Sequence, residues 1–419
     1  MKNNLILATL FASAVLGLAS CSEEPLNAEC DIESVSLHVD NPTKYFYHDY
    51  DTLQVIATTT DSIGFLIRSY ENVSSLPVTL SVTDGASVYI VDEDGKATAF
   101  KNGQSLDFAD EKVQHLKVVS QDGMWNRNYS LCVVHDVPSE GNMTLDFNHY
   151  DLDSSGKYYI WNITDENAVN GLFGGSYAAA TWKNGNPGYK LSKSSAKPMD
   201  YPSTPVEGGG PDGTACVKLE TMDTGSFGNM VNMRMAAGSM FLGEFDVANA
   251  LKDALKATRF GLPFMHKPVK FSVWLRYEQS SKAFQDKQGK PVEGIIDEPD
   301  AYVVVYRNQD EDGNKVVLDG NDVLTSPFIV GMARLPHHTY LDENGVRRDQ
   351  LGNDPIHGLT NEWQQVEMDI EYTEELDPEI LANKGYSMVI GFACSWQGAY
   401  FKGSIGNRLY IDNVNIICE

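Results

Sequence analysis

The chain has 419 residues, a net charge of −26 and a pI near 4.6. This acidic surplus excludes nucleic acid as a partner and disfavours anionic membrane surfaces, because both need Lys and Arg, whereas uncharged ligands such as glycans remain compatible. With 35 Gly and 20 Tyr, the composition favours an all-β chain with many turns, and the length favours two domains.

The first residues have the parts of a secretory signal. Lys2 precedes the apolar run Leu5–Leu18, and Leu18-Ala19-Ser20-Cys21 follows it. The run is about 14 residues long, which is too short for a membrane helix of roughly 20. The ending resembles the bacterial lipobox, and this resemblance implies that residues 1–20 are a signal peptide and that Cys21 carries the lipid.

The residues after Cys21 bear on the location of the protein. Ser22, Glu23 and Glu24 resemble the export signal of Bacteroidetes surface lipoproteins. The resemblance implies an outer-membrane lipoprotein that faces the cell surface, with residues 21–29 as the lipidated tether.

Residues 30–137 are predicted to form the first domain, an immunoglobulin-like β-sandwich. About seven short strands alternate with turn signals such as Asp94-Gly95 and Asn102-Gly103. The order of Leu76–Leu80, Asp84-Gly85-Ala86 and Tyr129–Leu131 resembles the N-terminal immunoglobulin-like module of Bacteroidetes polysaccharide-locus lipoproteins. This resemblance implies a spacer that lifts the next domain off the membrane.

Residues 143–419, after a Pro- and Gly-containing linker, are predicted to form a larger jelly-roll-type β-sandwich of about nine strands. Its one short helix is predicted over Val247–Arg259, with Asp246 as N-cap. Two long strands, Tyr386–Ser395 and Arg408–Ile417, close the sandwich. A period of two in the last strand predicts one face made of Tyr410, Asp412, Val414 and Ile416.

Several motifs of this second domain occur in the order found in one known family. They are Ala215–Thr221, Ala237–Phe245, Gly261–Phe264, Trp274–Tyr277, Tyr306 and Ser404–Ile416. They resemble the putative carbohydrate-metabolism domain (PCMD) of Bacteroidetes lipoproteins. The resemblance implies a jelly roll similar to carbohydrate-binding modules and a role in glycan use, without an agreed reaction. Phe147-Asn148 departs from the family's usual Phe-Glu, which weakens any metal or acid role for that position.

Aromatic side chains in predicted loops are candidates for a glycan platform, because sugars present C–H faces that stack on rings. The candidates are Trp161, Tyr177, Trp182, Trp396 and Tyr400. Ordinary loop packing is the alternative for them. Trp274 and Trp363 lie in predicted strands and are expected in the core.

The acidic residues do not predict a catalytic pair. Most of them lie in turn-like stretches, where a solvated loop explains them, and Glu220 and Glu244 are the only strand carboxylates that we single out for glycosidase chemistry. No catalytic residue is predicted.

Two metal hypotheses arise. The spacing from Asn308 to Asp319 is similar to that of an EF-hand loop, but a β-hairpin turn explains it equally. A structural calcium ion is expected where the first and last jelly-roll strands meet, with Asp146 and Asp412 as ligands, and no other cofactor is expected. The histidines His337, His338 and His357 are predicted to be polar loop residues, and five cysteines beyond Cys21 to be small buried residues or disulfide partners.

The sequence therefore predicts an all-β, surface-anchored lipoprotein that binds glycan without turning it over. A glycoside hydrolase or lyase on the same scaffold, or a structural or adhesion lipoprotein, is the alternative. The expected partners are a glycan, the lipid of the outer membrane and other glycan-uptake proteins of that membrane.

Overall fold

A computed structural model describes residues 26–68, 72–137, 139–247, 250, 252–341, 347–349 and 354–419. The predicted signal peptide, the predicted lipidation site Cys21 and the first part of the predicted tether lie outside these residues. Within the described residues, no helix is long and apolar enough to cross a bilayer. The five cysteines there are all free thiols, and Cys216 and Cys394 are buried.

The first part of the chain forms two sheets that face each other. Its strands are β1 (Ile32–Leu37), β2 (Leu53–Val55), β3 (Ser62–Ile67), β4 (Leu76–Val82), β5 (Ser87–Val91), β6 (Ala97–Ala99), β7 (Gln104–Leu106), β8 (Gln114–Val119) and β9 (Asn126–His135). One sheet has the order β2-β1-β4-β7 and the other the order β3-β9-β8-β5-β6, in which β3 and β9 are parallel. Alternate side chains of both sheets, such as Val35, Phe65 and Leu131, are buried in one core, which makes this part a β-sandwich.

The rest of the chain is also mainly β. Its strands are β10 (Met143–Leu145), β11 (Tyr150–Leu152), β12 (Tyr159–Asn162), β13 (Thr181–Trp182), β14 (Ser203–Val206), β15 (Cys216–Glu220), β16 (Met222–Asp223), β17 (Met235–Ala236), β18 (Ser239–Phe241), β19 (Gly243–Phe245), β20 (Thr258–Phe260), β21 (Leu262–Phe264), β22 (Pro268–Glu278), β23 (Asp300–Arg307), β24 (Leu318–Asp319), β25 (Ile329–Arg334), β26 (Thr339–Leu341), β27 (Arg347–Asp349), β28 (Gln364–Asp369), β29 (Glu371–Tyr372), β30 (Tyr386–Ala393) and β31 (Arg408–Cys418).

Helices are short throughout the described chain. The α-helices are α1 (Pro42–Tyr45), α2 (Glu166–Phe173), α3 (Asn186–Ser192), α4 (Gly225–Met230) and α5 (Pro378–Ala382), and the 3₁₀ turns are Asp49–Thr52, Ala109–Glu111, Pro198–Asp200, Ala254–Ala257 and Gly398–Tyr400. α2 is the longest, and it begins at the N-cap Asp165, whose carboxylate accepts from Ala168 N, and ends at Gly174 in the left-handed region.

Two six-stranded antiparallel sheets form the second sandwich. The first has the order β14-β15-β31-β22-β28, with β10 also paired to β31, and the second has the order β18-β30-β23-β25-β29, with β21 also paired to β30. The inner faces of both sheets bury one large core. A small third sheet, β19-β20-β24, covers part of the outer face of the second sheet through Phe241, Phe260 and Leu318. The predicted all-β sandwich fold is confirmed.

The last strand keeps its apolar side chains in the core by means of a β-bulge. Leu409 and Ile411 are buried in the core, and so are Val414 and Ile416, although the spacing between Ile411 and Val414 is three. Asn413 takes φ 49°, and the pairing of β31 with β22 shifts register at this point. The predicted face that joined Tyr410 and Asp412 to Val414 and Ile416 is therefore wrong.

The predicted helix over Val247–Arg259 is also wrong. The described part of this stretch contains the 3₁₀ turn Ala254–Ala257, and strand β20 follows at once. Phe260 pairs with Gly243 on one side and with Leu318 on the other. These pairings require an extended backbone, so tertiary contacts override the helical pattern.

The two sandwiches make polar contacts with each other. Lys384 Nζ lies 2.7 Å from Asp136 Oδ1, and Tyr47 of the first sandwich donates its OH to the other oxygen of the same carboxylate, Asp136 Oδ2, at 2.5 Å. Arg68 Nη2 donates to Asn383 Oδ1 at 2.9 Å. The Lys384 and Asp136 side chains are only 4% and 9% exposed, so this ion pair is almost entirely removed from water.

Candidate functional site: a polar sheet face

The tryptophans predicted for the glycan platform are not arranged as one exposed surface. Trp161 and Trp182 lie opposite each other in β12 and β13 and are 0% and 1% exposed, so their predicted loop position is wrong. Trp182 packs on Phe147 and Phe392 in the large core. Neither indole offers a free face to a sugar in this conformation.

The other three platform candidates follow helix α2 or strand β30. Trp396 is 5% exposed and stacks between Phe284 and His337. Tyr400 ends the 3₁₀ turn Gly398–Tyr400 and is partly exposed, whereas Tyr177 is 56% exposed. Of the predicted set, only the two tyrosines present substantial ring surface, and their role in binding stays a prediction.

A different set of side chains does form an ordered surface, on the outer face of β15, β31 and β22. Since Leu219, Leu409 and Tyr277 point into the core, their neighbours along each strand point outward. Backbone pairing then sets Glu220, Arg408 and Glu278 in one row across the three strands. The next row holds Lys218, Tyr410 and Arg276. We call these six residues the polar face.

Ion pairs connect the side chains of the polar face. Arg408 Nε lies 3.1 Å from Glu220 Oε2, and Arg408 Nη1 lies 3.3 Å from Glu278 Oε2. Lys218 Nζ lies 2.9 Å from Glu220 Oε2, and Arg276 Nη2 lies 3.8 Å from Glu278 Oε1. The central guanidinium thus holds two carboxylates in fixed positions.

The electrostatics of the polar face keep Glu220 ionised. Burial raises the pKa of Glu220, but hydrogen bonds from Lys218 and Arg408 outweigh this effect and lower it below its usual value. Burial raises the pKa of Tyr410, and the nearby Glu278 raises it further. Tyr410 is only 7% exposed, and the Arg276 guanidinium lies over its ring.

Aromatic side chains border the polar face. The Arg276 guanidinium lies 3.8 Å from the centroid of the Tyr410 ring and 5.8 Å from that of Trp363. Trp363 Nε1 donates to the Gly209 carbonyl at 3.0 Å, and Trp274 extends the outward row along β22. Both tryptophans are partly exposed, so their predicted core position is wrong.

Two further features indicate room for a ligand here. Arg276 Nε is buried and meets no hydrogen-bond acceptor among the described residues. A hollow of about 480 Å³ lies at the Glu278 end of the face, with Pro355, Leu359 and Thr360 in its wall. Fixed charges, a buried donor and ring edges around a recess are the groups that orient a polar ligand.

The two predicted calcium ligands lie beside the polar face. Burial, together with the nearby carboxylates of Asp212 and Asp146, raises the pKa of Asp412 to about 7. Asp412 Oδ2 is buried without a hydrogen-bond partner among the described residues. However, the described residues contain no group of three His, Cys, Asp or Glu side chains placed to hold one metal ion. The binding of calcium by Asp146 and Asp412 therefore stays a prediction.

The three histidines expected in polar loops are buried instead: they are His337, His338 and His357. They lie among buried acids. The backbone N–H groups of His338 and Ile356 donate to Glu298 at 2.7 and 3.1 Å, and Arg334 donates twice to Asp300. Burial lowers the pKa of His357 to about 4. This cluster fixes loop segments to one another inside the protein.

The remaining acidic candidates are explained by local structure. Glu244 is exposed in β19 of the small third sheet, whereas Glu220 lies in β15 of the first sheet, so the two do not form a pair. Around Asp310, Gln309 bridges to Lys315 and Gly313 takes φ 81°, as a hairpin turn requires. The hairpin explanation is confirmed over the EF-hand one.

Most of the polar face was missed by the sequence analysis, because Glu220 was the only one of its residues that was named as a candidate functional residue. In β31, a period of two does not separate the outward positions from the inward ones along the whole strand, because the bulge at Asn413 shifts the alternation. A usable signal existed in Arg276 and Glu278, which alternate with the apolar Leu275 and Tyr277.

These observations define the class of protein, an all-β two-sandwich protein with a polar face on the outer side of the larger sandwich. The sequence profile of the putative carbohydrate metabolism domain matches residues 146–417, so the chain belongs to that family.

Two solved structures are similar to the chain. One is a crystal structure described as a putative glycoside hydrolase from Bacteroides thetaiotaomicron VPI-5482, 29% identical, with a TM-score of 0.70 over 95% of this chain and 98% of the other. The second, described in the same words and from Bacteroides vulgatus ATCC 8482, is 27% identical, with a TM-score of 0.52 over 66% of this chain and 98% of the other. Among proteins with curated functions, none matches.

Proposed function

We propose that this protein binds a glycan on the polar face and does not cleave it. The observation that carries the proposal is the row Glu220–Arg408–Glu278, in which one guanidinium holds two carboxylates beside partly exposed indoles. Carboxylates accept hydrogen bonds from sugar hydroxyls, and a guanidinium donates hydrogen bonds to sugar oxygens. Aromatic ring faces stack on the C–H groups of the sugar. The membership in a carbohydrate-related family supports this choice of ligand.

The charge state of the face argues against hydrolysis. A glycosidase needs one carboxylic acid that is protonated near neutral pH, together with a second carboxylate. Both Glu220 and Glu278 are ion-paired to Arg408, and the pKa of Glu220 is lowered, so Glu220 does not supply that proton. Asp412 has a raised pKa, but its side chain is enclosed, with 0% exposure.

A glycoside hydrolase is the second candidate. The specific observation in its favour is the similarity over 95% of the chain to a structure described as a putative glycoside hydrolase. A bound glycan can displace the ion pairs of Arg408 and so change the charge state of Glu220 and Glu278. These two carboxylates are therefore tested directly for a role in hydrolysis.

The test is a glycan array followed by affinity gels on residues 22–419, beside Arg408→Ala and Trp274→Ala. We expect each variant to bind at least about tenfold more weakly, equivalent to about 1.4 kcal/mol, because it loses a charged donor or a stacking face. Arg259→Ala is the matched control, since Arg259 makes a surface ion pair with Glu244 outside the face.

Reducing-sugar release is measured on the same glycans. Release that Glu220→Gln and Glu278→Gln abolish would replace the binding proposal with hydrolysis. Equal binding by Arg408→Ala and wild type would show that the glycan lies elsewhere, for example near Tyr177 or Tyr400. Absence of both binding and release would favour the structural or adhesion role.

We further propose that the protein is anchored by a lipid on Cys21 and faces the cell surface, where glycan-uptake proteins of the outer membrane are partners. The support is the sequence Leu18-Ala19-Ser20-Cys21 and the acidic residues after it. Cys21→Ser is expected to abolish incorporation of an alkyne-labelled fatty acid and to release the protein into the soluble fraction. Protection of wild-type protein from protease added to intact cells would contradict the surface location.

A further inference from the structure

A second recess lies on the opposite sheet of the larger sandwich, away from the polar face. It is a cavity of about 210 Å³ between the outer side of β18 and β23 and the segments α3, α4 and Ala254–Ala257. Aromatic rings form much of its wall. They include those of Tyr189, Phe227, Phe241, Phe245, Phe260 and Tyr302. We call it the aromatic cavity.

The aromatic cavity offers almost no free polar group. None of its described lining residues is an acid, a base or a histidine. Ser192 Oγ donates to the Tyr189 carbonyl, Thr224 Oγ1 donates to the Met233 carbonyl, and Tyr189 OH donates to the Asp223 carbonyl. A sugar ring placed there would leave its hydroxyls without partners, which is costly. The cavity therefore excludes the ligand that suits the polar face.

The size and walls of the cavity suit a ring compound. Phe241 and Phe260 pack edge to face with centroids 5.3 Å apart, which leaves ring surface for a further edge-to-face partner. Gly188 lets α3 lie close to the wall of the cavity, because a Cβ atom there would lie only 3.2 Å from the Phe245 ring. An apolar cavity of about 150 Å³ stays dry and accepts benzene, so one of 210 Å³ has room for a substituted ring.

The cavity also has an entrance. Most lining residues are buried or partly buried, but Phe227 in α4 is 37% exposed and Ala399 in the turn Gly398–Tyr400 is exposed. A ligand can therefore enter beside these two residues.

We propose that the aromatic cavity binds an uncharged aryl group. This group is either a free small aromatic compound or the aryl part of a larger glycoside whose sugar remains outside. The inference does not rest on glycan binding by the polar face, because the two recesses lie on different sheets and share no residue.

The experiment measures binding of two probes to residues 22–419 by calorimetry and by melting temperature. Toluene tests the ring alone, and phenyl β-D-glucopyranoside tests a ring that carries a sugar. We expect toluene to bind and to raise the melting temperature. If the glucoside also binds, the ligand of the cavity is the aryl part of a glycoside. If only toluene binds, the ligand is a free aromatic compound.

Three variants make the test specific. Ala257→Leu fills the cavity and is expected to weaken toluene binding by at least about tenfold. Ala99→Leu, on the exposed strand β6, is the control for added hydrophobic surface and is expected to bind like wild type. Phe245→Ala enlarges the cavity and is expected to gain binding of naphthalene, which remains informative if Ala257→Leu does not fold.

The proposal is overturned if saturating toluene leaves the wild-type melting curve unchanged, or if Ala257→Leu binds toluene as well as wild type does. It is likewise overturned if folded Phe245→Ala gains no binding of naphthalene. Loss of glycan binding in Arg408→Ala would not affect this result.

Discussion

A single carboxyl group, that of Asp297, illustrates how burial controls charge in this protein. Its Oδ2 accepts hydrogen bonds from Ser395 Oγ, Ser404 N and Asn407 Nδ2 at 2.6, 2.5 and 2.8 Å. These bonds favour the ionised form, yet burial outweighs them and raises the pKa of Asp297 to about 7. The free energy of unfolding must therefore depend on the protonation of this group.

The sign of this dependence follows from the two pKa values. The pKa of Asp297 is raised from 3.8 to about 7 on folding, so its stabilising effect is complete below pH 3.8 and is lost as pH rises through 7. Asp297→Asn cannot ionise, so its stability relative to wild type should increase between pH 4 and pH 7 by on the order of 3 kcal/mol.

Urea unfolding at several pH values checks this prediction, with Glu311→Gln as a control at an exposed position. Parallel pH profiles for Asp297→Asn and wild type would contradict it.

At the scale of the elements, the sequence predicted the strands well and their faces poorly. Alternating apolar residues with Asp-Gly and Asn-Gly turns are local signals, and they located most strands of both sandwiches. The predicted positions of four tryptophans were the opposite of the observed ones. Trp161 and Trp182, predicted in loops, are in the core, whereas Trp274 and Trp363, predicted in the core, border the polar face. Which side of a strand meets the other sheet is decided by distant pairing, which a single sequence does not display.

The bulge in β31 is the clearest case. Asn413 lies between the part of β31 that pairs with β15 and the part that pairs with β10. Its left-handed backbone rotates the later residues by one position, so Asp412 lies beside the polar face while Val414 returns to the core. The inward return of Val414 and Ile416 could be predicted only with knowledge of this one dihedral angle.

Substitutions at Asn413 should reveal the strain that this backbone imposes. Asn413→Gly is expected to change stability by a few tenths of a kcal/mol, because glycine accepts positive φ, whereas Asn413→Val is expected to cost about 1–2 kcal/mol. Chemical denaturation measures both. Equal stability of the two variants would mean that the strand relaxes to a regular conformation.

At the scale of the whole molecule, the ion pair of Lys384 and Asp136 joins the two sandwiches. Burial lowers the pKa of Lys384 even though Asp136 opposes the shift. Lys384 also takes φ 55°, a backbone conformation that residues other than glycine rarely adopt. This buried ion pair, together with the hydrogen bond from Arg68 to Asn383, connects the two sandwiches directly.

Lys384→Met keeps the backbone strain and removes the charge, leaving Asp136 buried without its cation. We expect a loss of about 3–5 kcal/mol, and we expect calorimetry to show one unfolding transition for the wild type and two for the variant. Lys101→Met, at an exposed position, is the control. A single unshifted transition in Lys384→Met would show that the junction contributes nothing to the coupling.

The central position of β31 has a consequence for biosynthesis. In its sheet this strand lies between β15 on one side and β22 on the other, and it also pairs with β10, whose residues are synthesised about 270 positions earlier. None of these earlier strands can complete its hydrogen bonds until the ribosome has passed residue 418. The larger sandwich must therefore remain open during nearly all of translation. A chain truncated before β31 would expose unpaired strand edges and would aggregate.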